Sequence, residues 1–284
     1  MPLLTLQELE QMTPLFRGKV GHMLGRGAMR LLAVDRLNAL YDRNSHHYGP
    51  DFASRILRDL DVRYDVFAEA PEVLTQLQDL SSGMPFITIS NHPYGSIDGI
   101  ILADYFGHLC PGYKIMVNKI LSRIEALSPS FISVTPTGVE RTSATTESIL
   151  GVRRALAQLR LGGALGLFPS GAVSDLSLRD CRIRDREWQP AIIRLIAKAK
   201  VPILPVRFFD GNSLFYYLLG LIDWRIRLLR LPTEVFNKAG RPARLSIAPL
   251  ISVEQQQEYL ATHTTEEFGQ WLRGKVYGMS MQNK

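Results

Sequence analysis

Along the first eighty residues, apolar positions recur with a helical period. Ala28 to Tyr41 carries Leu31, Leu32, Val34, Leu37 and Leu40, and Phe52 to Leu60 carries Phe52, Ile56 and Leu57. These spacings predict helices with one apolar face each. The polar run Asp42 to Pro50 between them predicts a loop, as does Ser81-Ser82-Gly83. The texture then changes. Short apolar or β-branched runs follow at Phe86 to Ser90, Lys114 to Val117, Phe131 to Val134, Ala164 to Phe168, Pro202 to Phe208 and Leu245 to Ala248. Helical patterns lie between several of them. Glu147 to Leu161 stops at Gly162-Gly163, a common helix exit, and Trp188 to Lys200 runs directly into the next strand. Strands alternating with helices predict an α/β fold with a largely parallel sheet flanked by helices, preceded by an N-terminal helical region. The change of texture predicts three parts: an N-terminal helical region (1–80) packed on the core, a core (81–251) and a C-terminal helical tail (252–284).

Composition narrows the class. With 46% hydrophobic and 21% charged residues in 284, a sizeable packed core is expected and disorder is not. The net charge of +6 and pI of about 9.4 favour acidic partners: anionic lipid headgroups, an acidic carrier protein or nucleic acid. A basic surface with no special partner fits the charge equally well. Cys110 and Cys181 match no metal spacing and make no disulfide framework, which fits a reducing, cytosolic setting. The first residues lack a basic stretch followed by an apolar one, so no signal peptide is expected. No apolar run reaches the roughly 20 residues needed to span a bilayer, so any membrane contact is expected to be peripheral.

Chemistry gathers at strand ends, where parallel sheets place their active sites. The first strand ends in Asn91-His92-Pro93-Tyr94-Gly95-Ser96-Ile97-Asp98-Gly99. Ser96 can cap the helix that begins there, and Asp98 falls in its first turn, where the helix dipole favours a carboxylate. A carboxylate beside His92 can fix the ring tautomer and stabilise the imidazolium formed on proton abstraction. Taken alone, a His and an Asp six positions apart fit a structural or chance pair better. Phe168-Pro169-Ser170-Gly171-Ala172-Val173-Ser174 is a second block, read either as an ordinary turn or as a turn whose amides face an anion. Val201 to Val206 is a strand whose two prolines predict an edge position or an irregular start.

In this order and spacing, the three blocks resemble the glycerolipid acyltransferase family of the phosphatidic-acid-synthesis type. That family joins an Asn-His…Asp block, a Phe-Pro-Glu-Gly block and a Val-Pro-Ile-x-Pro-Val strand. The resemblance covers about Ile87 to Ile251 and is nearest to the putative haemolysin branch, which Asp185, Trp188, Gly211-Asn212-Ser213, Glu234, Asn237 and Gly240 also resemble. Members of that branch include O-acyltransferases that complete amino-acid lipids such as ornithine or glycine lipids.

The resemblance implies a mixed sheet flanked by helices, with His92 as general base and Asp98 as its orienting carboxylate. It places Asn91, Gly95, Ser96, Phe168, Pro169, Ser170 and Gly171 around the substrate. Amides near Gly95 or Gly171, or the ammonium of Lys119, are then oxyanion donors, and Arg141 is a further cation. Acyl carrier protein or acyl-coenzyme A is the implied donor and a lipid the acceptor. No metal or redox cofactor and no nucleic acid is implied, and the implied place of action is the cytoplasmic face of the membrane, peripherally bound.

The departures are informative. Five residues instead of four separate His92 from Asp98, so the turn is expected to bulge, with Gly95 the natural place. Ser170 stands for the second block's glutamate, Val173 for its arginine, and Ala172 for the branch's own acid. A lyso amino-acid lipid is therefore the expected acceptor, with 1-acylglycerol-3-phosphate as the alternative. An amine acceptor, and an inactive lipid-binding, haemolysin-like protein, are the other readings. A serine hydrolase is disfavoured, because no Gly-x-Ser-x-Gly elbow occurs.

Leu214 to Leu231 mixes large apolar side chains with Arg225, Arg227 and Arg230. It fits a headgroup-level segment with arginines on phosphates, and it also fits a buried helix with three surface arginines. Arg17 to Arg30 is a second such stretch.

Overall fold

A computed structural model describes residues 18–134 and 146–281 of the chain. Three helices open it: α1 (Gly18–Leu31), α2 (Val34–Asn44) and α3 (Gly49–Asp59). Then follow β1 (Tyr64–Ala68), α4 (Glu72–Ser81), β2 (Ile87–Ser90), α5 (Ile97–Leu109), β3 (Lys114–Asn118), β4 (Phe131–Val134), α6 (Thr146–Arg160) and β5 (Leu165–Leu167). A small hairpin of β6 (Asp175–Ser177) and β7 (Arg182–Arg184) precedes α7 (Pro190–Ala199) and β8 (Ile203–Phe208). Three short helices, α8 (Leu214–Ile222), α9 (Trp224–Leu229) and α10 (Leu231–Phe236), lead to β9 (Ala243–Ile247), α11 (Val253–Thr262) and α12 (Thr265–Gly278).

Seven strands form one sheet in the order β1-β9-β8-β2-β5-β3-β4. All neighbours are parallel except β8 with β9. The α/β fold expected from the alternation of patterns is thus the fold observed, and it is mixed. Side chains alternate between the faces. Leu204, Val206 and Phe208 join α3, α4 and α5 on one side, while Ile87, Ile89 and Ile203 join α6, α7 and α12 on the other. Both faces are covered, so β2 is buried at every residue, the hydroxyl-bearing Thr88 and Ser90 included.

Several local features depart from the sequence expectation. The pattern over Ala28 to Tyr41 is broken, because Ala33 adopts a left-handed φ of 58° and separates α1 from α2. The break lets Met29 and Val34 both turn inward. β1 arises where the pattern showed no strand; it is a half-buried edge strand with an exposed Asp65. The prolines of Val201 to Val206 do not mark an edge, since β8 is third of seven. Pro202 precedes the strand. The Pro205 carbonyl accepts the Ala248 amide at 3.0 Å, so its missing N–H faces the point where β9 has ended and pairing with β8 lapses until Ile251.

Candidate active site

β2 is the central strand, and its parallel neighbour β5 ends beside it. The turns that follow these two strands therefore meet at one edge of the sheet, bringing His92 against Phe168 with ring centroids 4.0 Å apart. Asn91 fixes the end of β2 to β8. Its side-chain amide donates to the Phe208 carbonyl and its carbonyl accepts the Phe208 N–H, both at 2.8 Å. Asn91 thus anchors the turn, and its polar atoms face backbone.

The turn between His92 and α5 bulges at Gly95, where φ is 76°. A Cβ there would lie 2.5 Å from Val173 Cγ2, so both the conformation and the space call for glycine. The bulge wraps the chain around Asp98. Oδ2 accepts the N–H groups of Tyr94 and Gly95 at 3.1 and 3.2 Å, and Oδ1 accepts that of Gly99 at 2.9 Å. Asp98 is fully buried. Ser96 holds the N-cap position of α5, but its hydroxyl makes no capping bond, contrary to expectation; Asp98 gathers the amides of the turn instead.

His92 Nδ1 lies 2.8 Å from Asp98 Oδ2, closed to solvent, in a bent contact that pairs the ring N–H with the carboxylate. The imidazole is 18% exposed. With Nδ1 committed to Asp98, the ring presents Nε2 as its free nitrogen. Burial disfavours the imidazolium, but the Asp98 charge, its bond to the ring and the Asp185 charge outweigh this and raise the His92 pKa above the ordinary imidazole value.

Asp185 is a second buried carboxylate under the ring. Its Oδ1 accepts the His92 backbone N–H at 3.1 Å and the Ser174 hydroxyl at 2.6 Å, and its Oδ2 accepts the Trp188 indole N–H at 3.3 Å. Burial pushes its own pKa up, against those bonds. The sequence carried Asp185 and Trp188 only as points of resemblance; the bond of Asp185 to His92, and of Trp188 to Asp185, depends on the β6–β7 hairpin folding back, which no local pattern announced.

The second block forms a tight turn with little free polarity. Pro169 and Ser170 are buried, and the Ser170 hydroxyl donates to the Ala172 carbonyl at 2.8 Å. Gly171, at φ 64°, donates its amide to the Phe168 carbonyl at 2.9 Å. The amides of Gly95 and Gly171 are therefore both already engaged, one with Asp98 and the other within its own turn. Val173 is buried against Gly95 and the pair Tyr216 and Tyr217. Lys119 is exposed just after β3. β5 separates β3 from β2, about 10 Å across the sheet. Arg141 lies outside the described residues.

The turn is also held from outside. The Tyr217 hydroxyl donates to the Pro93 carbonyl at 2.8 Å, and Asn212 Nδ2 donates to the Tyr94 carbonyl at 2.9 Å. Glu234, buried, accepts the Ser213 amide and hydroxyl at 2.8 and 2.7 Å and pairs with Lys238 and Arg230. This clasp gives a physical role to the Gly211-Asn212-Ser213 and Glu234 positions. A carboxylate-oriented imidazole with one free nitrogen, at the mouth of a sheet edge, is equipped to take a proton from a hydroxyl.

Residues 52–282 match the model of a family described as Acyltransferase. A lyso-glycine lipid O-acyltransferase of Bacteroides thetaiotaomicron is 23% identical over 255 residues, covering 87% of this chain and 86% of that protein. Another, of Phocaeicola vulgatus, is 24% identical over 250 residues, covering 86% of this chain and 82% of that protein.

Proposed function

The chain belongs to this acyltransferase family, and we propose that it moves a fatty acyl group from an acyl thioester to the hydroxyl of a lyso amino-acid lipid at the cytoplasmic face of a membrane. His92 Nε2 takes the acceptor's hydroxyl proton while the oxygen attacks the thioester carbonyl. The C–S bond then breaks, and the departing thiolate takes the proton from the imidazolium, whose charge Asp98 balances at 2.8 Å. Asp98 and Asp185 hold the ring and act on its charge. Phe168 packs on the imidazole and Pro169, Ser170 and Gly171 form the facing wall, with Lys119 as a more distant cation.

The observation that carries the acceptor assignment is the uncharged second block. Ser170 is bonded to its own turn and Val173 is packed in the core, so neither offers a charged partner for a phosphate. The relatives named lyso-glycine lipid O-acyltransferase support the same reading. The donor is acyl carrier protein or acyl-coenzyme A. Both are acidic, which suits a net charge of +6. Competition between lyso-glycine lipid and lysophosphatidate at equal concentration, with one acyl thioester, tests the assignment. Faster acylation of the glycine lipid is expected. Faster acylation of lysophosphatidate means that another cation holds a phosphate, and the acceptor assignment fails.

A further inference from the structure

The segment after β8 is two-faced. On α8, Leu214, Phe215, Leu218, Leu221 and Ile222 stand 44–75% exposed, at positions that fall on one side of a helix. Its other side buries Tyr216 and Tyr217 completely, and Tyr217 holds the Pro93 carbonyl of the catalytic turn. α9 continues the outward face with Trp224, Ile226, Leu228 and Leu229, each 36–51% exposed. The two helices are pinned together where Arg227 passes so close to Gly220 that a Cβ there would sit 2.7 Å from its Cδ. Arg227 itself is buried. Its guanidinium donates to the Val173 and Ser174 carbonyls at 3.1 Å each and pairs with Asp175. It is thus a structural tie between α9 and the second block, whereas both readings of the sequence, headgroup-level segment and buried helix, put its charge at the surface.

The β6–β7 hairpin packs beside α8, with Leu176 against the Tyr216 and Tyr217 side chains. Its tip exposes Leu178 and Arg179, and β7 exposes Arg182 and Ile183. Arg184 and Arg186 on the same hairpin have acid partners in Asp180 and Asp175. Large apolar side chains exposed along two consecutive helices mark an interaction surface. No described helix is long and apolar enough to cross a membrane, so any contact made by these helices lies in the plane of the interface.

We propose that the outer face of α8 and α9, with the tip of the β6–β7 hairpin, is the surface on which the protein lies on an anionic lipid bilayer. Aromatic and aliphatic side chains enter the acyl boundary, and Arg179 and Arg182 meet headgroup phosphates. The patch combines large apolar side chains, interfacial aromatics and exposed basic ones, a complement to anionic lipid that a second copy of this apolar face would not supply. Docking here leaves the catalytic turn only one helix thickness, roughly 10–12 Å, from the bilayer. Since α8 grips that turn from behind, the orientation of the turn toward the lipid follows from the docking itself. The proposal rests on the acyl-transfer reading only for the purpose of docking; the docking is measured without turnover.

The test is co-sedimentation of the full chain with phosphatidylcholine vesicles, with and without phosphatidylglycerol. The Phe215→Ser/Leu218→Gln/Ile222→Gln variant changes only exposed side chains. It is expected to bind both vesicle types at least about tenfold more weakly, a loss of fewer than two buried methylenes' worth of transfer energy. Turnover of a short-chain acceptor dispersed as monomers should stay as in the wild type. The Arg179→Ser/Arg182→Ser variant is expected to lose the preference for phosphatidylglycerol alone. Vesicle binding by the triple variant equal to wild type overturns the proposal. So does light scattering that shows a wild-type dimer dissociated by the triple variant while neither protein binds vesicles; the face then joins two copies. Vesicle binding as expected with no thioester turnover leaves the docking standing and sinks the acyl-transfer reading.

Discussion

Asp98→Asn is the sharpest single perturbation of the site, because the replacement is isosteric and its consequence can be worked out atom by atom. Both carboxylate oxygens accept only: Tyr94 N–H, Gly95 N–H and the His92 ring on Oδ2, and Gly99 N–H on Oδ1. An asparagine amide must turn its NH2 toward one of these sets. Placed at Oδ1, it faces the Gly99 N–H and orphans one buried donor, costing about 1–3 kcal/mol. Placed at Oδ2, it faces three donors and can be satisfied by His92 only if Nδ1 gives up its proton. The ring then carries hydrogen on Nε2, the wrong nitrogen for a base. The first orientation costs less, yet it still removes the charge that balances the imidazolium. The variant should therefore melt lower, by an amount corresponding to about 1–3 kcal/mol, and turn over about 10²–10⁴-fold more slowly. Without Asp98's charge the His92 pKa falls, so the acid limb of the residual activity should move to lower pH. Thiol release from an acyl thioester across a pH series, alongside thermal melting, reads all three effects. A folded variant with wild-type turnover and an unmoved acid limb would show that Asp98 does not act through His92.

Four other outcomes follow from the same geometry. His92→Ala should lose about 10²–10⁴-fold in turnover while melting somewhat lower, since it leaves the buried Asp98 carboxylate without its cation; retained thioester consumption by the folded variant rules the base out. The wild-type rate should climb only above the ordinary imidazole pKa, and Asp185→Asn should move that limb down while Asp185→Ser also lowers the melting temperature, through the lost Trp188 and Ser174 bonds. The raised pKa also means that the His92–Asp98 pairing adds stability in full below the unfolded imidazole value, and this is lost as pH rises through the folded one, which melting across that window would detect. Gly95→Ala forces a φ of 76° on an alanine and drives its Cβ toward Val173. The expected cost is about 2–5 kcal/mol from the two effects together, and adding Val173→Ala should recover only the packing share. Equal stability of Gly95→Ala and wild type would contradict the bulge.

The sequence is most informative where one residue type answers one local demand. The buried strands β2, β5 and β8 are legible as short apolar runs because both of their faces are covered. The bulge at Gly95 is legible because one extra residue must go somewhere, and only glycine takes a positive φ without strain. What stays hidden depends on distant chain returning to the same place. β1 is a polar-interrupted edge strand that exists because β9, far along the chain, pairs with it. The β6–β7 hairpin has two strands of three residues each, too short for any period to show. Asp185 reads as one acid among several until that hairpin brings it under His92. The same holds for Arg227, which shares its spacing with Arg225 and Arg230 but points inward.

Arg227 also explains how the second block can do without its charges. Where the broad family has an arginine, this chain has Val173, and that side chain closes over Gly95 and the tyrosine pair. An arginine does reach the turn, from α9, but both of its terminal nitrogens are taken by the Val173 and Ser174 carbonyls and by Asp175. Removing a buried, paired guanidinium from these partners to serve a phosphate would strand a carboxylate and two carbonyls, a change costing several kcal/mol. The cation is therefore structural, and among the described residues the wall facing His92 stays neutral. A neutral wall cannot favour a phosphate by charge-assisted bonds, which are about twice as strong as neutral ones. It can still accommodate an uncharged hydroxyl-bearing chain at no such penalty. Selectivity for a lyso amino-acid lipid over lysophosphatidate would then come from what the site lacks as much as from what it holds.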